Sequence, residues 1–172
     1  MTVQTRGHLV FGIILVLVLV GSITSTAMAA DESRRLVVSE QTVRDRKTGT
    51  VWVRNGNLPG KELTWLDAQA YLKTINQKNY GGYQDWGFPS KAALEELQEM
   101  CAAADNLAGD RKTCAELLNK NGFQNVQEGL YWSSSKMGRN NFITYAWSTI
   151  DGTFKSISKE QAANLLPVHG GR

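Results

Sequence analysis

Gly81-Gly82-Tyr83-Gln84-Asp85-Trp86-Gly87-Phe88-Pro89-Ser90 places three aromatic rings on a segment that also holds three glycines and a proline. Glycine and proline are the poorest helix formers, so the stretch is not a helix. Its rings are too many for an ordinary solvated loop. The flanking residues settle its role. Ser90 directly after Pro89 is an N-cap candidate. Beyond it, Leu94, Leu97 and Cys101 share one helical line, and Glu95, Glu96 and Glu99 avoid that line. Upstream, Thr64-x-x-Asp67 resembles a capping box with Asp in the Glu slot. Trp65, Ala68, Tyr71, Leu72 and Ile75 recur at helical spacing, and that helix should end near Asn76. The quoted stretch therefore connects two amphipathic helices. Its rings are expected to plug the core beside the second one, with Trp86 kept as a ligand-binding candidate.

Strands are expected on both sides of this helical centre. Thr42–Asp45 and Thr50–Arg54 flank a Gly-containing turn and read as a hairpin. A short helix around Cys114, Leu117 and Leu118 should stop at Asn121-Gly122. Leu130–Ser135 and Phe142–Thr149 read as strands. Asp151-Gly152 is a two-residue hairpin signal that returns the chain through Thr153–Ser158, and Leu165–His169 adds a final strand. Strands, then helices, then strands predict an α+β fold of antiparallel strands packed with two main helices. Trp52, Trp65 and Trp147 lie on regular elements and are expected in the core. Trp86 and Trp132 are harder to place.

The amino terminus carries a different signal. Arg6 precedes an unbroken apolar run, Leu9–Val20, and Ala27-Met28-Ala29 fits a small-residue cleavage site. That layout predicts a secretory signal peptide over 1–29. The apolar run is short of the roughly 20 residues a spanning helix needs, so membrane contact is expected only through this segment if it stays uncleaved. Residues 30–41 read as a loose, charged lead-in, and 42–172 as one domain. Removing the leader lowers the formal charge from +3 to +2 because it holds one basic residue and no acidic one. Acids and bases are otherwise interspersed, so nucleic acid is not an expected partner. The localisation read from the leader is periplasmic or extracellular. In that oxidising setting the only two cysteines, Cys101 and Cys114, are expected to form a disulfide.

Most catalytic chemistry is excluded by composition. After the leader the chain holds one histidine, His169, so the usual zinc ligand sets cannot form. Gly56–Glu62 lacks the length and the Ser/Thr of a phosphate loop. No cofactor and no metal is expected. The remaining candidate is Lys136-Met137-Gly138-Arg139-Asn140-Asn141, which bridges two strands and offers Lys136, Arg139, Asn140 and Asn141 to an acidic glycan. His169 is a weaker candidate, since no partner for it is visible in the sequence.

The ordered motifs resemble a known family. Thr48–Trp52 (TGTVW) resembles an opening TGLMW. Thr64–Ala68 (TWLDA) resembles a TWxxA helix start, and Gly81–Pro89 resembles GGYSDWRLP. Ala93–Leu97 falls where that family has a KEL-type helix. Tyr131–Ser135 (YWSSS) resembles YWSST, Ala146-Trp147 before Asp151-Gly152 resembles an AW…DG hairpin, and Pro167–Gly171 (PVHGG) resembles PVRGG. The family is the bacterial domain of unknown function that includes the C-terminal domain of the Legionella collagen-like adhesin. The resemblance runs from about residue 42 to 171 and implies a C-type-lectin-like fold in an exported or surface protein. In the adhesin the domain is linked to sulfated polysaccharides and to trimer formation. Two positions depart from the family: Gly87 and His169 stand where its members often carry Arg. The expected function is an exported, non-enzymatic binding module for a polysaccharide or an envelope protein, and an oligomer is compatible with it. The alternatives are an enzyme on the same scaffold or a structural subunit of an envelope complex.

Overall fold

The computed structural model describes residues 1–2, 35–108, 112–139 and 141–170. The expected leader lies outside these residues from position 3 onward, and Asn140 lies outside them too. All the elements belong to the unit that begins at Arg35.

Two antiparallel sheets and three α-helices make an α+β fold. The first sheet contains β1 (Leu36–Val38), β2 (Thr42–Asp45), β3 (Val51–Val53) and β7 (Val168–His169), in the order β1-β2-β3-β7. The second contains β4 (Leu130–Lys136), β5 (Ile143–Ser148) and β6 (Phe154–Ser158), in that order. The helices are α1 (Trp65–Gln77), α2 (Lys91–Ala108) and α3 (Cys114–Lys120). Among the described residues no helix is long and apolar enough to cross a membrane.

The strands at the centre are buried on both faces. Successive side chains on a strand point to opposite sides, and here the two sides feed two different apolar clusters. Trp52, Tyr131 and Trp147 join Leu94, Leu97, Leu117, Leu118 and Phe123 on the side of α2 and α3. Val51, Val53, Trp132 and Ala146 join Ala68, Leu72, Ile75, Trp86 and Phe88 on the side of α1 and the connector. Trp132 can be wholly buried because its indole N–H donates to the Leu63 carbonyl at 2.8 Å. The Cys101–Cys114 disulfide ties α2 to α3.

The helix starts obey their capping residues. Thr113 and Glu116 form a complete capping box at α3. At α1 the Thr64 hydroxyl accepts from the Asp67 backbone and donates to the Asp67 carboxylate at 2.7 Å. The shorter Asp meets the hydroxyl side chain, so the box is made at one end only. Ser90 accepts from the Ala93 amide at 3.2 Å and so starts α2 as its position predicts.

Three expectations need correction. The lead-in is not loose throughout, because Leu36–Val38 forms an edge strand on β2. Three residues are too few to show a period of two. The final strand is shorter than Leu165–His169. Pro167 has no N–H to give a ladder, and its carbonyl instead accepts from Val53. Trp65 is only partly buried, whereas Trp86 and Trp132 lie deep in the core.

Candidate functional site

The connector between α1 and α2 is held by its backbone. Asn79, Gly81 and Gly82 take positive φ and turn the chain at the end of α1. A side chain at Gly81 would bring a Cβ within 2.7 Å of the Thr42 methyl, so the position needs both the left-handed backbone and the absent Cβ. Asn76 then clamps Trp86: its Oδ1 accepts from the Trp86 amide at 2.7 Å and its Nδ2 donates to the Trp86 carbonyl at 3.0 Å. The Trp86 indole donates to the Tyr80 carbonyl at 2.9 Å. With 3% of its surface exposed, Trp86 has no ring face to offer a ligand. Its place among the ligand-binding candidates is thereby corrected: the clamp and the core packing account for it.

Gly87 and His169 meet the same connector. Gly87 and Val168 exchange backbone hydrogen bonds at 2.9 and 3.0 Å, adding the connector beside β7. Close by on the two chains, His169 Nδ1 lies 2.7 Å from Asp85 Oδ1, and the imidazole tilts against Tyr83 at 4.5 Å. The partners of His169 come from a segment more than eighty positions upstream, so the local sequence does not display them. The pair is half-exposed and locks the last strand to the connector.

Pro89 carries the connector on to the second sheet. Its carbonyl accepts from the Ser134 amide at 2.7 Å, and the Lys91 amide donates to Ser135 Oγ at 2.9 Å. Both serines belong to an irregularity in β4. Trp132 pairs with Ala146 and Lys136 with Thr144, so β4 spends more residues than β5 over the same interval. Such a bulge bends its strand and re-aims the residues beyond it. The buried Thr144 hydroxyl closes it, lying 2.8 Å from the carbonyls of both Ser133 and Ser135, which share its one proton.

The bulge aims the β4–β5 hairpin tip. Lys136 and Arg139 are exposed there, and Lys136 Nζ donates to Asn141 Oδ1 at 3.3 Å. Among the described residues neither cation is ion-paired. Several cations elsewhere are neutralised locally: Arg35 by Asp45 and Glu96, Lys47 by Glu96, Lys91 by Glu95 and Lys155 by Asp151. No acidic residue occurs between Leu130 and Ile150. The tip also exposes apolar surface, with Met137 44% and Phe142 75% accessible. The structure thus brings Lys136, Arg139 and Asn141 together on one hairpin, and leaves Trp86 in the core, engaged with Asn76, Tyr80 and Tyr83. In the sequence Phe142 reads only as the first residue of a strand. Its exposure comes from its place just before β5, beyond the last residue that the core covers.

Apart from the tip, a concavity of about 650 Å³ lies between α2, α3 and the β5–β6 turn. The disulfide, Leu117 and Ile150 supply its apolar lining, and Gln98 and Asp151 are polar members. Asp151 is engaged by its own turn: it accepts from the Thr153 amide at 3.1 Å and hydroxyl at 2.8 Å. Hydrogen bonds from the Ser148 and Thr153 side chains hold its carboxyl well below the usual carboxylate range. Among the described residues no group of three or more His, Cys, Asp or Glu could hold a metal ion.

A family model described as the Lcl C-terminal domain matches residues 41–169. The chain belongs to the Lcl C-terminal domain family. In this Lcl C-terminal domain the matched span begins one residue before β2 and ends on His169, so the connector, the Asp85–His169 pair and the hairpin tip all fall inside it. The edge strand β1 lies outside it. No curated protein matches the chain.

Proposed function

We propose that this Lcl C-terminal domain is an exported, non-enzymatic binding module of C-type-lectin-like fold that takes an acidic polysaccharide on its β4–β5 hairpin tip. The observation that carries the reading is the tip itself. Two exposed cations, neither ion-paired among the described residues, and an amide stand on a bulge-aimed hairpin whose sequence neighbourhood lacks a carboxylate. A ligand with spaced anionic groups gains from each cation in turn without first breaking a salt bridge. Loops held by a rigid scaffold commonly carry binding, and here the scaffold is two sheets joined through Pro89, Ser134 and Ser135.

Export is part of the same proposal. It is supported by the three-part leader in the sequence and by a disulfide, which belongs to oxidising compartments. The place of action is then the periplasm or the cell exterior. The absence of catalysis is proposed because the one described histidine is occupied by Asp85 and because Asp151 in the cleft serves its turn.

A glycan array probed at low and high salt tests this reading. Preferential retention on sulfated or uronic-acid glycans, lost in Lys136→Ala/Arg139→Ala, is the expected result. Equal retention of the wild-type protein and the double variant would overturn it.

A further inference from the structure

The exposed face of the hairpin does not end at Asn141. Phe142, the next residue, is 75% exposed, and its carbonyl accepts from the Lys159 amide at 2.9 Å across the β5–β6 pair. Ile143 pairs with Ser158 one step further in, so Phe142 and Lys159 stand opposite each other at the end of the ladder. Directly opposed residues of an antiparallel pair project to the same face. Lys159 is itself fixed in place. Its ammonium lies 4.7 Å from the Trp65 ring centroid, and its carbonyl accepts from the Trp65 amide at 3.1 Å. Trp65 in turn stacks on Phe88, with centroids 3.9 Å apart and planes at 8°. One strip therefore runs from Lys136 and Arg139 through Phe142 to Lys159, an exposed aromatic between cations.

We infer that Phe142 and Lys159 form the second half of the ligand surface, with Phe142 packing against the C–H face of a pyranose ring and Lys159 meeting an anionic substituent beyond it. The inference rests on the polysaccharide reading and narrows it. A simple polyanion needs only the cations, whereas a carbohydrate also presents an apolar ring face that an exposed phenyl can cover. Charge complementarity selects the acidic members of that class: Lys136, Arg139 and Lys159 stand against one nearby carboxylate in sequence, Glu160. The ordered stack beneath Lys159 fixes its position before any ligand arrives, which lowers the ordering cost of binding.

The test compares two polyanions, dextran sulfate and inorganic polyphosphate, of which only the first has sugar faces. Phe142→Ala and Phe142→Leu, both at an exposed site and checked for folding by circular dichroism, are titrated with each at two salt concentrations. The expected result is about a tenfold loss for dextran sulfate with Phe142→Ala, a smaller loss with Phe142→Leu, and no change for polyphosphate. Lys159→Ala should weaken both polyanions and reduce the salt dependence. An unchanged dextran sulfate affinity in Phe142→Ala, or an equal loss for both polyanions, overturns the role of Phe142 while leaving the hairpin reading intact. A wild-type protein that binds neither polyanion overturns both. Tighter binding to phosphatidylglycerol vesicles than to dextran sulfate, lost in Phe142→Ala, assigns Phe142 to a lipid surface and also overturns the inference.

Discussion

His169 Nδ1 lies 2.7 Å from Asp85 Oδ1, joining the last strand to the connector that launches α2. A guanidinium at position 169 would still offer N–H donors to the same carboxylate. His169→Arg is therefore expected to preserve stability, and His169→Ala to lower it by about 0.5–1 kcal/mol, the range of a half-exposed pair. Urea denaturation of the three proteins checks this. A larger loss in the Arg variant than in the Ala variant would contradict the pairing.

Asp45 gives the fold an acid-sensitive joint. Burial alone pushes its carboxyl up, but the Arg35 hydrogen bond, the Lys47 amide and the Arg35 charge outweigh burial and hold it below the usual carboxylate range. A carboxylate depressed in the folded state stabilises the protein above its unfolded value, near ~4. That stabilisation disappears as pH falls through the folded value. Asp45→Asn is expected to cost about 2 kcal/mol at neutral pH. The gap from wild type should shrink as pH is lowered from about 5 toward 2. A gap independent of pH would show that Asp45 acts through packing alone.

Thr144 sets the direction of the hairpin tip. Replacing it with Val keeps the volume but leaves the Ser133 and Ser135 carbonyls without their buried donor. The expected loss is about 1–3 kcal/mol, and Thr144→Ser should recover most of it. Thr144→Val should also weaken glycan binding even though residue 144 is fully buried. Thermal melts and binding titrations on the same samples separate the two effects.

The disulfide closes a short loop between α2 and α3 with a sequence separation of 13. A double Cys101→Ser/Cys114→Ser variant is expected to lose about 3 kcal/mol. Glycan affinity measured well below the melting temperature should stay the same, because the hairpin tip lies at the β4–β5 connection and the disulfide between two helices. A matching loss of affinity would mean that the tip depends on α2–α3 geometry.

The two main helices are legible in the sequence because Thr64 and Ser90 announce their starts and the apolar residues recur at one period. The hairpin strands are legible from Thr-Gly and Asp-Gly turns. The features that stay hidden depend on partners distant in sequence. The depth of Trp86 is set by Asn76 and Tyr80 and by the core around α1, and an isolated indole in a glycine-rich stretch does not reveal it. The Ser133–Ser135 bulge is invisible until β5 supplies Thr144. Strand β1 escapes sequence reading because Leu36–Val38 comes after charged residues and is too short to show alternation. The cations of the tip are legible from local composition. Phe142 is not, because exposure is decided by where the core stops covering the strand.

The measurement that bears most directly on the binding role is the salt dependence of affinity for an acidic polysaccharide, titrated for the wild-type protein and Lys136→Ala/Arg139→Ala. Exposed cations act through screened charge, so the wild-type affinity should fall steeply with added salt, and the double variant should bind more weakly at low salt along a flatter slope. Superimposable curves for the two proteins would contradict a binding site at the β4–β5 hairpin.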